Sequence, residues 1–114
     1  MQSKFHNSKT IYKGVVYDSK KEAKRAYELE ILQRAGLIHN LERQRSFELI
    51  PAYVNNKGKK VRPIIYIADF VYEKNGIYYV EDVKGSKKVL TDVYRIKKKI
   101  FEYKYPEYVF IEFV

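Results

Sequence analysis

The chain has 114 residues, the length of one domain. Its composition is 46% apolar and 32% charged, globular rather than disordered. It has no cysteine, which excludes disulfides, thiol nucleophiles and thiolate-held zinc or iron–sulfur centres. Its apolar runs, such as 64–68 and 108–111, fall far short of the ~20 residues of a membrane span. The chain opens without a charged segment leading into an apolar one, so no secretory leader is expected. A cytoplasmic setting, in a bacterial host if the gene is phage-borne, is the simplest expectation. The 23 Lys and Arg against 14 Asp and Glu leave a net charge of +9. Such a charge either serves solubility alone or meets a polyanion, of which nucleic acid is the commonest. Residues 1–60 carry 13 basic and 6 acidic side chains, and residues 61–114 carry 10 and 8. The second half therefore sets its acids among its bases.

Residues 1–10 read as a basic arm with Lys4, His6 and Lys9, and residues 11–114 as a single domain. A short extended stretch over 11–17 turns at Gly14. Ser19 followed by Glu22 is a capping box, Ser19 at the N-cap and Glu22 at the third helical position. Ala23, Ala26, Tyr27, Leu29 and Leu32 follow at mixed spacings of three and four, and Gly36 supplies a left-handed stop, so a helix is expected over 19–35. Leu41, Arg43, Arg45, Phe47 and Leu49 alternate, marking a strand over 38–50 that Pro51 ends. Residues 55–60 form a basic, flexible turn. A long β-branched and aromatic strand spans 61–72, and Asn75-Gly76 turns it back into a strand over 77–83. Residues 85–88 are a loop. Thr91 or Asp92 caps a second helix, with Val93, Ile96, Ile100 and Phe101 on one face. Pro106 ends that region, and 109–114 is a last strand. The order is α-β-β-β-α-β after a small N-terminal extension.

The hairpin makes a geometric statement. With Asn75-Gly76 as a two-residue turn, paired residue numbers add to 151, and so do 69 and 82. Asp69 and Asp82 then lie opposite one another, Cβ atoms ~5 Å apart. Lys84, two residues past Asp82, shares its face, together with Ile65, Ile67 and Val71, which are expected to be buried. Paired carboxylates on a half-buried face repel and resist desolvation. A hard divalent cation such as Mg²⁺ would compensate, because carboxylate oxygens are its ligands. A three-residue turn with a bulge would instead put the two acids on opposite faces.

These residues, taken with Glu22 on the first helix, carry a resemblance. Asp69 and the Asp82-Val83-Lys84 run resemble the split motif of the PD-(D/E)XK nuclease superfamily, with Ala68 standing where the motif has proline. The wider set is similar to a phage-borne family of small domains of that superfamily: Ser19-Lys20-Lys21-Glu22-Ala23, Gln44, Ile67-Ala68-Asp69-Phe70 and Glu81-Asp82-Val83-Lys84-Gly85. The resemblance implies a restriction-endonuclease-like core, a mixed four-stranded sheet flanked by helices. It implies Mg²⁺-dependent hydrolysis of DNA phosphodiesters, with Mn²⁺ as a substitute. Asp69, Asp82, the Val83 carbonyl and Glu22 would form the metal shell, and Lys84 would orient water or neutralise developing charge. Gln44 either reaches a phosphate or a water, as in some members, or is an ordinary solvated strand residue. The closest functional likeness is to Holliday junction resolvases, which act as homodimers on branched DNA. The alternatives are a general nicking or restriction-like endonuclease and a DNA-binding module whose acids are structural.

Glu22 has two readings, since the capping box alone explains its spacing, and one side chain is not expected to serve both fully. Glu81 must point away from Asp82 and is expected to be a surface acid. His6 and His39 pair with no candidate nucleophile. Lys57, Lys59, Lys60, Lys87, Lys88 and the run Lys97-Lys98-Lys99 are candidate phosphate contacts or solvated faces. The 12 tyrosines suit a small aromatic core, an interface or stacking on bases.

Overall fold

A computed structural model describes residues 9–84 and 91–114. The N-terminal arm through residue 8, the loop over 85–88 and the candidate contacts Lys87 and Lys88 lie outside the described residues.

β1 (Thr10–Tyr12) and β2 (Val15–Tyr17) form a small hairpin. Its Lys13-Gly14 turn has positive φ at both residues, 49° and 77°, the turn that suits the twist of two strands. α1 runs Lys20–Arg34. Ser19 Oγ accepts from the Glu22 N–H at 3.1 Å, as a capping box requires. At the other end Gly36 N–H donates to the Gln33 carbonyl and Leu37 N–H to that of Leu32. Gly36 has φ +76°, so this is a Schellman stop that a side chain at residue 36 would strain.

The main sheet has the order β3-β6-β7-β8, from β3 (His39–Ile50), β6 (Ile64–Lys74), β7 (Ile77–Val83) and β8 (Tyr108–Phe113). β6 is antiparallel to both β3 and β7, and β8 lies parallel to β7. The parallel pair needs a crossover, and α2 (Asp92–Lys104) supplies it, capped by Thr91. The described residues thus form a mixed α+β fold with one four-stranded mixed sheet and two helices. The 55–60 segment is more ordered than a flexible turn. β4 (Tyr53–Val54) and β5 (Lys60–Val61) pair as a hairpin, and Asn55 Oδ1 accepts from the N–H groups of Lys57 and Lys59 at 3.0 Å each.

Two apolar clusters cover the two faces. Tyr17, Ala23, Ala26, Leu29, Ile38, Phe70 and Tyr72 pack under α1. Phe47, Leu49, Tyr66, Ala68, Val71, Val80 and Phe101 pack under α2. On α2 the buried residue is Phe101, with Tyr94 and Ile100 partly buried beside it. Val93 and Ile96, expected on that face, are exposed, because the helix turns Tyr94, Ile100 and Phe101 toward the aromatic cluster instead. Many of the tyrosines are structural: Tyr66, Tyr105 and Tyr108 surround Phe47 and Phe101 with centroid distances of 5.0–6.3 Å in that cluster. Among the described residues no helix is long and apolar enough to cross a membrane.

The faces exchange midway along two strands. Tyr66 and Ala68 face α2, yet Phe70 and Tyr72, of the same parity, face α1. On β3, Phe47 and Leu49 face α2 while Leu41 faces α1. The change falls at Gln44, whose φ is +55°, and at Asp69. Both lie between the ladder pairs Arg43↔Phe70 and Arg45↔Ala68. The simple alternation expected along 41–49 is therefore broken. The same change corrects the expected burial of Ile65 and Ile67. Ile67 is 52% exposed and Ile65 38%, because that face of β6 has left α1 behind. Val71 is buried as expected.

Phe101 joins α2 to its cluster, and truncating it leaves a cavity ringed by five aromatics, Phe47, Tyr66, Tyr105, Tyr108 and Phe110. Phe101→Ala is expected to cost about 3–5 kcal/mol in chemical denaturation. A loss under about 1 kcal/mol would show that α2 does not depend on this contact.

Candidate functional site

The hairpin register is the expected one. Lys74↔Ile77 through Phe70↔Glu81 are paired across Asn75-Gly76, both with positive φ, 53° and 79°. Phe70↔Glu81 is the last pair of that ladder. Beyond it β6 and β7 part, and Asp69 fills the fork: its Oδ2 accepts from the Val83 N–H at 2.7 Å, where a backbone carbonyl would otherwise stand. The Asp69 carboxyl also abuts that of Asp82. Asp82 is 6% exposed and faces α2 with Val80. Lys84 Nζ lies 3.0 Å from Asp82 Oδ2 and 3.7 Å from the centre of the Tyr94 ring. Asp69, Asp82 and Lys84 thus come together as the register argument requires.

Glu22 and Gln44 reach the same point from the α1 side. Glu22 is 3% exposed. Its Oε1 accepts from the Asp18 N–H at 3.1 Å and its Oε2 from Gln44 Nε2 at 3.1 Å. The expected conflict between capping and site roles is resolved by division, one oxygen to each. The cap bond goes to Asp18 rather than to Ser19. Gln44 Nε2 also lies 3.4 Å from Asp69 Oδ1. The positive φ at Gln44 turns its amide into the gap between α1 and the fork, so Gln44 bridges the two carboxylates.

The Asp69 pKa is raised to about 8, with burial the largest cause. Contact with the Asp82 carboxyl contributes next, the Val83 N–H opposes the shift, and Glu22 adds a smaller rise. Tyr66 lines the same cleft as Asp82 and Lys84, a space of about 320 Å³ between β6 and the start of α2. Burial first, then Asp82, pushes its hydroxyl well above the usual tyrosine range.

Among the described residues no group of three carboxylate or imidazole side chains stands ready to enclose a cation. Donor chemistry nonetheless fits a hard divalent ion at Asp69 and Asp82: both offer oxygen, Asp82 is buried and Asp69 partly so, and Lys84 is the cation beside them among the described residues. Glu22, expected in the metal shell, stands one amide away from Asp69 instead.

Glu81 does point away from Asp82, but it is no surface acid. It is completely buried. Arg25 Nε donates to its Oε1 at 2.7 Å and Nη2 to its Oε2 at 2.6 Å, and the Tyr72 hydroxyl also donates to it. That hydrogen-bonded acid, with burial opposing, holds Arg25 in its charged form. Alternation alone could not show it, because the face opposite Asp82 is covered by α1 rather than by water. Also missed was Glu112, directly beside Asp82 in the β7–β8 register; it accepts from the Tyr94 hydroxyl at 2.7 Å and lies 3.5 Å from Lys98. A parallel pairing of β7 with the last strand was the only signal that could have found it. Lys97 donates to the Ile65 carbonyl at 2.9 Å, so both Lys97 and Lys98 have partners within the chain, whereas Lys57, Lys59 and Lys60 are exposed.

The family model described as Protein of unknown function (DUF1064) matches residues 2–112, and the chain belongs to that family. No curated protein and no solved structure matches it.

The raised Asp69 pKa has a sign. The folded protein keeps a proton that the unfolded chain, with a carboxyl near 3.8, releases. Stability is therefore expected to fall as pH rises from about 4 to about 8, then level off. Melting curves of the wild type and Asp69→Asn across that range test this. The Asn variant should lose most of the slope, and saturating Mg²⁺ should flatten it in the wild type. Equal slopes in both proteins would place the titration elsewhere.

Proposed function

We propose that the protein is a metal-dependent DNA endonuclease that hydrolyses phosphodiester bonds, with branched DNA such as a Holliday junction as its substrate. The observation that carries this reading is the meeting of the buried Asp82 carboxylate with the partly buried one of Asp69, beside an ammonium at the fork of β6 and β7. Three others support it. The main elements run α1-β3-β6-β7-α2-β8 around a mixed sheet, as the PD-(D/E)XK core would. Glu22 reaches the pair from the first helix. The net charge of +9 suits a phosphate polyanion.

In this reading Asp69, Asp82 and the Val83 carbonyl would hold Mg²⁺ or Mn²⁺, which would supply Lewis acidity for the phosphate and for water there. Lys84 meets the charge that develops on the phosphate oxygens. Gln44 and Glu22 orient the Asp69 carboxylate, and the family likeness points to a 5′-phosphate product. Recognition runs through phosphates and shape rather than bases. Symmetric nicking of a junction calls for a homodimer. A nicking or restriction-like endonuclease is the neighbouring alternative. A second reading, a non-catalytic DNA-binding module, draws on the protein partners that both carboxylates already have: the Val83 N–H for Asp69 and Lys84 for Asp82.

Linear duplex, single strand and four-way junction, each with Mg²⁺ or with EDTA, separate these readings. Junction cleavage in Mg²⁺ alone is expected, abolished by Asp69→Asn or Asp82→Asn and lowered ~100-fold by Glu22→Gln. Binding without cleavage on all three substrates would establish the module instead.

The β4–β5 hairpin presents Lys57, Lys59 and Lys60 to solvent as candidate phosphate contacts. Neutralising Lys57, Lys59 and Lys60 together should weaken DNA binding and make its salt dependence shallower, with the cleavage position unchanged. Unaltered affinity across a salt titration would take the hairpin out of the interface.

A further inference from the structure

α1 offers the sheet a thin apolar surface. Besides Glu22, its buried residues are Ala23, Ala26 and Leu29. Two alanines and a leucine make shallow ridges, and shallow ridges fix the sliding and rotation of a helix poorly. Polar tethers supply what packing lacks. Arg25, one turn beyond Glu22, spans to β7 and grips both oxygens of Glu81. Tyr72 on β6 holds Glu81 from the sheet side. The guanidinium also lies 4.2 Å from the centre of the Phe113 ring on β8. Lys21 Nζ donates to the Lys84 carbonyl at 2.8 Å. On the helix, these tethers leave from residues flanking Glu22. On the sheet side, the hydrogen bonds land on Glu81 of β7 and on Lys84 just past it, either side of Asp82.

A buried ion pair is a poor source of net stability, since desolvation of the two charges offsets most of their attraction. A forked guanidinium on a carboxylate does, however, admit one relative placement of the elements that carry it. We propose that Arg25, Glu81 and Tyr72 are positioning residues. Their buried cluster sets α1 against β7, and so sets the distance of Glu22 from the Asp69–Asp82 pair. The inference rests on the nuclease reading above and deepens it: none of the three faces the cleft, and their effect on cleavage passes through Glu22 and Asp82.

The test replaces the cluster with apolar groups, Arg25→Met, Glu81→Leu and Tyr72→Phe together, in the full chain. A melting temperature at or above that of the wild type is expected. Turnover on junction DNA should fall 10–100-fold, and the Mg²⁺ concentration giving half-maximal rate should rise. Mn²⁺ binding to the DNA-free protein, followed by calorimetry, should weaken by a similar factor. Arg25→Lys keeps the charge without the fork, and should give a folded protein with an intermediate loss. A folded triple variant that cleaves and binds Mn²⁺ like the wild type overturns the proposal while leaving the nuclease reading intact. If the triple variant does not fold, wild-type turnover and Mg²⁺ dependence in Arg25→Lys overturns it equally. A wild type that neither binds Mn²⁺ nor cleaves removes the nuclease reading, and this inference with it.

Discussion

β6 and β7 cannot remain paired past Phe70 and Glu81 while Asp69 keeps its carboxyl where it is. The side chain occupies the place of the next ladder bond and takes the Val83 N–H for itself. Much of the site follows from that substitution. The strands part, the Asp82 carboxyl is left against that of Asp69, and Lys84 swings in beside it. A carboxyl that is desolvated and faces another acid is held only because a backbone donor and a nearby ammonium offset part of the penalty. The fork therefore carries an electrostatic penalty, which a proton on Asp69 relieves below about pH 8.

The same point is where the sheet changes faces. Gln44, at positive φ, and Asp69 lie side by side between two regular ladder pairs. A non-glycine residue in the left-handed region is uncommon, and such residues collect where local geometry serves a site. Here the turn of the backbone brings the amide of Gln44 between Glu22 and Asp69. Two consequences share one cause: a polar bridge across the sheet, and an isoleucine face on β6 that α1 no longer covers.

Around this fork the two helices are held by different physics. α2 sits on a cluster of interlocking aromatics, where shape fixes its place. α1 sits on alanines and is held by Arg25 to Glu81 on β7, by Lys21 to the Lys84 carbonyl and by Glu22 to Gln44 on β3. The helix that carries Glu22 is thus the one held by directional polar contacts.

Local chemistry made much of this legible in the sequence. Ser19 and Gly36 bound the first helix, because caps and left-handed stops are short-range requirements. Asn75-Gly76 set the hairpin register, because a two-residue turn of positive φ leaves no freedom in pairing, and that register brought residues 69 and 82 together. What tertiary structure alone decided lies where alternation fails or where the cover on a face matters. Parity along β6 and β3 could not reveal the exchange of faces at Asp69 and Gln44, so Ile65 and Ile67 came out exposed. Nor could it reveal that Glu81 faces α1 and Arg25 rather than water, or that the last strand sets Glu112 beside Asp82. A strand's period of two says which residues share a side, but what lies on that side is settled only when distant elements pack.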